Sequence, residues 1–107
     1  MKSFEERGRG EEAKLAHDEE MQFRIQARRN RLLGQWGAER MGLSAVETDA
    51  YAKSIVQADF EEASDEDVVR KLLGDLISAG VEIDEADIRL ALDQKAVEAR
   101  RMLMGES

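Results

Sequence analysis

The sequence predicts an all-α protein, a four-helix bundle preceded by a mobile N-terminal arm. Two features of its composition indicate helices: proline is absent, and charged residues make up 37% of the 107-residue chain, interspersed with alanine and leucine. The third observation is that apolar residues recur at helical spacing in successive segments. A chain of 107 residues has the usual size of one domain and can build one modest core.

Residues 1–18 form the predicted arm. Large apolar side chains are few there, Phe4 and Leu15 among them, and no apolar stripe connects them. Gly8 and Gly10 each cost a helix about 1 kcal/mol relative to alanine. We therefore expect this segment to be mobile in the free protein and to fold against a partner.

The first helix of the bundle is predicted over residues 19–41, and Gly42 is expected to end it. Trp36 continues its apolar stripe and is expected to anchor the core between helices. The apolar residues at helical spacing are Met21, Ile25, Leu32, Leu33 and Trp36.

The other three helices are predicted over residues 45–62, 65–79 and 85–104. Ser44 with Glu47, the run Ser64–Asp67 and Asp84 are residue types that cap helix N-termini. Short connections predict neighbouring helices packed antiparallel in a bundle. The predicted core positions are Val46, Ala52, Ile55, Val56 and Phe60; Val68, Val69, Leu72, Leu73, Leu76 and Ile77; and Ile88, Ala91, Leu92, Ala99, Met102 and Leu103.

Composition excludes several classes of function. Without cysteine, the chain has no disulfide scaffold and no thiolate chemistry, which suits a reducing, intracellular setting. A net charge of −8 disfavours nucleic-acid binding, which depends on attraction to phosphates. No apolar run approaches the roughly 20 residues that cross a bilayer, and the N-terminus lacks the apolar stretch of a signal peptide, so we expect no direct membrane insertion.

Neither a metal site nor a catalytic site is expected. His17 is the only histidine, and one imidazole beside flexible carboxylates does not define a metal site. The acidic run Ser64–Asp67 lacks the glycine and the trailing glutamate of a calcium loop, so it is interpreted as a helix start. Phosphate-loop, dinucleotide-binding and nucleophile-elbow patterns are absent.

An arginine-rich face on the first helix has two interpretations. Arg24, Arg28 and Arg31 are spaced to share one face, with Arg29 beside them. They could form ion pairs with the acidic remainder of the chain. Alternatively, their guanidinium groups could bind an anion, including weak binding of ATP or ADP with Trp36 stacking on the base.

Several short sequences resemble one known family. They include the EAKLAHD stretch at residues 12–18, ARRN at 27–30, LGQW at 33–36 and DEDVVRK at 65–71. Together they resemble the small zeta subunit of the F-type ATP synthases of α-proteobacteria. The resemblance covers essentially the whole chain and is densest from Ala13 to Trp36.

The resemblance implies a function and a set of partners. It implies a four-helix bundle whose mobile arm inhibits ATP hydrolysis by entering the cleft between the catalytic α and β subunits and touching the γ subunit of the rotor. The protein would be a monomer when free, would need no cofactor, and would act in the cytoplasm, at the inner face of the cell membrane through the ATP synthase. The arm residues implied to bind the partner are Lys2, Ser3, Phe4, Glu5, Glu6, Arg7, Glu11, Glu12, Lys14, Leu15, His17 and Asp18.

Overall fold

Four α-helices make up the computed structural model. It describes the backbone of residues 2–62 and 64–105, and the side chains of residues 19–60 and 64–105. The helices are α1 (Lys2–Met41), α2 (Ala45–Glu62), α3 (Asp65–Ser78) and α4 (Glu85–Met104), and no strand occurs in these ranges. The all-α, four-helix fold is confirmed.

Helix α1 is longer than expected. Its 40 residues begin at Lys2, where the sequence predicted a helix from about residue 19. The helix-forming residues that dominate from Glu11 onward allow the backbone to continue upstream without interruption. The side chains of residues 1–18, and the mobility predicted for them, lie outside what the structure describes.

The helix ends follow the local sequence. Gly42 adopts a positive φ of 71°, and the amide of Leu43 donates to the carbonyl of Ala38, which closes α1 with a Schellman motif. The amide of Ser44 donates to Glu47 and the amide of Glu47 donates to Ser44, forming the predicted capping box. The hydrogen bond that the Glu47 carboxylate accepts from the Ser44 amide, and a smaller contribution from the Ser44 side chain, lower the pKa of Glu47.

Caps also fix the ends of α3 and α4. The Ser64 hydroxyl accepts a hydrogen bond from the amide of Glu66, and Gly80 closes α3 with a φ of 82°. Asp84 forms a second capping box with Asp87. The three connections that the sequence predicted are therefore in place.

The core lies where all four helices meet. Among the described residues, α1 packs against each of the other helices, whereas no Cα atom of α2 lies within 8 Å of a Cα atom of α4. The buried apolar residues are Ile25, Leu33 and Ala38 of α1, Ala52 and Ile55 of α2, Val68, Val69, Leu72 and Leu76 of α3, and Ile88, Ala91, Leu92 and Ala99 of α4.

Four predicted core residues are wrong. Ile77 and Phe60 are 57% and 70% exposed because the preceding residues, Leu76 and Asp59, take the buried positions. Val46 is 81% exposed in the first turn of α2, well before that helix's first buried residue. Met102 is 52% exposed near the end of α4. The buried face of α2, α3 and α4 is therefore narrower than the apolar pattern of the sequence suggested.

A partly buried tyrosine, Tyr51, connects α2 to α3. The Tyr51 hydroxyl donates a 2.7 Å hydrogen bond to Asp75, which also accepts from Lys71 at 3.2 Å. Burial, together with the hydrogen bond to negatively charged Asp75, raises the pKa of Tyr51 well above its usual range. This hydrogen bond joins α2 to α3.

Candidate functional site

Three of the four arginines predicted to share a face line one cavity. Arg24, Arg28 and Arg31 of α1 surround a space of about 330 Å³ that is also lined by Val56 of α2 and Leu103 of α4. Arg24 forms a 2.7 Å ion pair with Glu20, and Arg31 a 3.3 Å pair with Asp49. For Arg28, no ion pair occurs with the side chains that the structure describes.

Arg29 points to a different place. Its Nη2 donates to Asp65 at 2.8 Å, its Nε donates to Asn30 at 3.1 Å, and its side chain is only 12% exposed. It also lies 4.0 Å from Asp59. Arg29 therefore links α1 to α2 and to the start of α3. Its mostly buried guanidinium stabilises the packing of these helices.

A buried carboxylate organises this region. Asp59 is 5% exposed, and its Oδ2 accepts hydrogen bonds from the Asn30 and Gln26 side chains, each at 2.7 Å. Its Oδ1 is buried with no partner among the described residues. The Arg29 guanidinium supplies the nearby positive charge that a buried carboxylate requires.

Sequence reasoning missed this polar network. The signal was present in the spacing: Asn30 lies three residues before Leu33, and Asp59 lies four residues after Ile55, so both occupy positions of an apolar stripe. A short polar residue on each of two stripes indicates a buried pair, but nothing in the sequence shows that the two helices face each other there.

Two phenylalanines lie exposed beside the network. Phe23 is 58% exposed and Phe60 is 70% exposed, and their rings meet edge to face with centroids 6.2 Å apart. A cavity of about 320 Å³ opens beneath them, over Asn30 and Asp59. A third cavity, of about 390 Å³, continues past Phe60 along α2.

These cavities form one surface, which we call the α1–α2 groove. Val56 lines all three cavities, so they are adjacent parts of a single depression. Its apolar floor consists of Phe23, Ala27, Val56 and Phe60, and its cations are Arg24, Arg28, Arg31 and Lys53.

Trp36 is not part of the groove. It is partly buried against the core, with the guanidinium of Arg40 4.4 Å from its ring centroid. The space beside it is lined by Asp87 and Gln94 of α4, and the arginines of the groove do not line it. The structure thus brings Arg24, Arg28 and Arg31 together and leaves Arg29 and Trp36 apart from them.

The described residues contain no cluster of histidine, aspartate or glutamate arranged to hold a metal ion. In the same residues, no helix has the length and apolar character needed to cross a bilayer. The fold and surface define a helical bundle protein with an apolar, cation-bordered groove and a long first helix.

Comparison with known proteins identifies the family. The sequence profile of the family described as ATPase inhibitor subunit zeta matches residues 1–102, so the chain belongs to this family. A solved structure, determined in solution by NMR, is 47% identical with a TM-score of 0.70, and the match covers 81% of this chain and 99% of that chain. Among curated proteins, none matches.

Proposed function

We propose that the protein inhibits ATP hydrolysis by an F-type ATP synthase, with residues 1–18 as the inhibitory segment. In this proposal the segment enters the interface between the α and β subunits and presses against the γ subunit of the rotor. The observation that carries the proposal is the family match, which spans residues 1–102 and so includes the whole segment.

The length of α1 supports a role for its first half outside the bundle. At 1.5 Å per residue, 40 helical residues extend about 60 Å, whereas the 14 to 20 residues of the other helices extend about 21–30 Å. Among the side chains of α1 that the structure describes, from residue 19 onward, the first buried core residue is Ile25. The helix is therefore longer than the bundle that its second half builds.

A continuous helix also provides mechanical coupling. Force applied to the inhibitory segment passes along α1 into the core, where Leu33 and Ala38 are fully buried. Such a connection lets the bundle act as a body that resists displacement of the segment. In this proposal the protein is a regulator without catalysis of its own, a monomer when free, and present at the inner face of the membrane only through the ATP synthase.

The test is ATP hydrolysis by the purified synthase, measured while the protein is added. The full chain should reduce the hydrolysis rate to a low residual level, and a variant lacking residues 1–18 should not. Thermal unfolding of the shortened variant provides the control, because all described core residues lie beyond residue 18. A folded variant without the segment that inhibits as strongly as the full chain would refute the proposed mechanism.

A second candidate function is weak binding of ATP or ADP as a sensor of nucleotide level. It is favoured by the convergence of Arg24, Arg28 and Arg31 on one cavity, since guanidinium groups bind phosphates bidentately. Titration with ATP should then shift the amide resonances of these residues, and Arg28→Gln should weaken the effect. Because Trp36 lies elsewhere, its fluorescence should not respond.

A further inference from the structure

We propose that the α1–α2 groove docks a short acidic amphipathic helix of the ATP synthase, giving the inhibitor a second contact besides its N-terminal segment. This inference rests on the proposed function, because it names a partner surface on the same enzyme. The proposed docking site lies elsewhere than the proposed inhibitory segment, because the groove belongs to the bundle and its residues begin at Phe23, beyond residues 1–18.

The floor of the groove is an exposed apolar patch on a strongly charged protein. Phe23 and Phe60 leave 58% and 70% of their surfaces exposed, although side chains of this size are usually buried. Their edge-to-face contact joins them with Val56 into one patch rather than two scattered residues. Exposed patches of this kind, with a polar border, mark sites of protein association.

The dimensions fit a helix of about two turns. On α1 the groove extends from Phe23 to Arg31, eight residues apart, which is about 12 Å along a helix. On α2 it extends from Lys53 to Phe60, about 10 Å. An amphipathic helix fills such a groove with apolar side chains at positions i, i+3 or i+4, and i+7.

The border charges select an acidic partner. The four cations of the groove face the carboxylates of Glu20, Asp49 and the lining residue Asp59, which leaves a net charge of +1 in a chain whose net charge is −8. The cations are Arg24, Arg28, Arg31 and Lys53. Exposed pairs such as Arg31–Asp49 contribute little, so these cations can exchange their partners for carboxylates of an incoming helix.

The groove is held in shape before any partner arrives. Beneath it, Asp59 accepts hydrogen bonds from Gln26 and Asn30 of α1, which fixes α2 against α1. Arg29 extends the same network to Asp65 at the start of α3. A preformed site loses little conformational entropy on binding, which favours affinity.

The test measures both binding and inhibition with the full-length chain and the purified ATP synthase. The double variant Phe23→Ala/Phe60→Ala should bind at least 10-fold more weakly and inhibit only at correspondingly higher concentration. The matched control is Ile77→Ala/Leu90→Ala, which removes two side chains that are 57% and 59% exposed outside the groove. The control should bind like the parent.

Charge reversal tests the acidic nature of the partner. Arg28→Glu should weaken binding and reduce its dependence on salt, because it removes a cation that faces the partner. Arg70→Glu makes the same charge reversal at an arginine of α3 that lies outside the groove and whose side chain is 79% exposed, and it should have little effect. Equal effects of the two variants would overturn the assignment of an acidic partner to the groove.

The outcomes separate this inference from the proposed function. If the parent inhibits and the double phenylalanine variant inhibits equally well, the groove is not a docking site, and the inhibitory role stands. If the parent binds without inhibiting and that variant loses binding, the inhibitory role fails, and the groove stands. If the parent neither binds nor inhibits, both fail. A dimer in sedimentation that becomes monomeric in the variant would show that a second copy occupies the groove and would overturn the proposal.

Discussion

Replacing Gly34 with alanine should destabilise the protein, because α1 and α2 approach each other most closely at this residue among the described glycines. A methyl group built on Gly34 lies 2.6 Å from the Cα of Ala52 and 3.2 Å from the Cγ1 of Ile55. Carbon atoms pack at about 3.5–4.0 Å. Since the Ala52 contact is to the backbone, no side-chain rotation relieves it, and the two helices must separate by about 1 Å.

The size of the effect follows from two opposing contributions. Alanine is favoured over glycine in a helix by about 1 kcal/mol. Overpacking a well-filled core costs about 1–3 kcal/mol, and a backbone contact belongs at the upper end of that range. We therefore expect Gly34→Ala to lower the free energy of unfolding by about 2 kcal/mol, which corresponds to a decrease in Tm of roughly 8–16 °C for a domain of this size.

Two other glycines provide matched controls. Gly74 lies exposed in α3 with nothing within 4 Å of an added methyl group, so Gly74→Ala should raise stability by about 1 kcal/mol. At Gly37 the nearest atom, 2.6 Å away, is the Cδ2 of Leu72, which can rotate in part, so Gly37→Ala should fall between the other two. Thermal and urea unfolding followed by circular dichroism give the ranking. If Gly34→Ala proves as stable as Gly74→Ala, the two helices do not approach each other as described.

Four further predictions concern other parts of the chain. Asp59→Ala should lower the free energy of unfolding by about 1–3 kcal/mol, because it leaves the buried amide donor of Asn30 without its acceptor, and a urea midpoint close to the parent value would contradict this. Trp36→Ala should lower the free energy of unfolding by about 2 kcal/mol, less than the roughly 3–5 kcal/mol for a fully buried aromatic residue, because Trp36 is only partly buried. Urea unfolding measures this loss as well. The hydrogen bond from Arg89 lowers the pKa of Glu66, so the folded state binds this proton more weakly than the unfolded state. The stabilisation from the Arg89–Glu66 hydrogen bond is fully present above about pH 4.3, the ordinary pKa of glutamate, and is lost as the pH falls through the lowered pKa of Glu66. Arg89→Gln should therefore reduce stability at pH 7 and have little effect near pH 2. Histidine is the residue type whose ordinary pKa lies in the physiological range, so we expect inhibition to depend on pH between about 5 and 8 and His17→Ala to flatten that profile; an unchanged profile would exclude the histidine.

The helices and their ends could be predicted because their causes are local. The sequence predicted the second helix over residues 45–62, and α2 spans Ala45–Glu62. Ser44 and Glu47 are three residues apart and cap each other without help from the rest of the chain. Gly42 adopts the positive φ that its lack of a Cβ allows. Such contacts depend on spacing along the chain, which the sequence contains directly.

The grouping of the arginines could be predicted only in part. Spacing placed Arg24, Arg28 and Arg31 on one face, and the structure finds them around one cavity. Spacing could not show that Arg29, which directly follows Arg28, turns toward Asp65 at the start of α3. It also could not show that Trp36 packs with Arg40 away from the others. Whether a polar side chain faces solvent or a neighbouring helix depends on where that helix lies.

By itself, the sequence determined the number of helices, the limits of the second, third and fourth helices to within a residue, the predicted N-terminal caps, and the resemblance that led to the family. Tertiary structure alone decided which residues meet across helices: the contact of Gly34 with Ala52, the hydrogen bonds that Asp59 accepts from α1, and the exposure of Phe60 beside Phe23. The physical reason is geometric. Rotating a helix by one residue, about 100°, moves a side chain between core and surface while leaving every local pattern unchanged, so only the packing of all four helices together fixes that rotation.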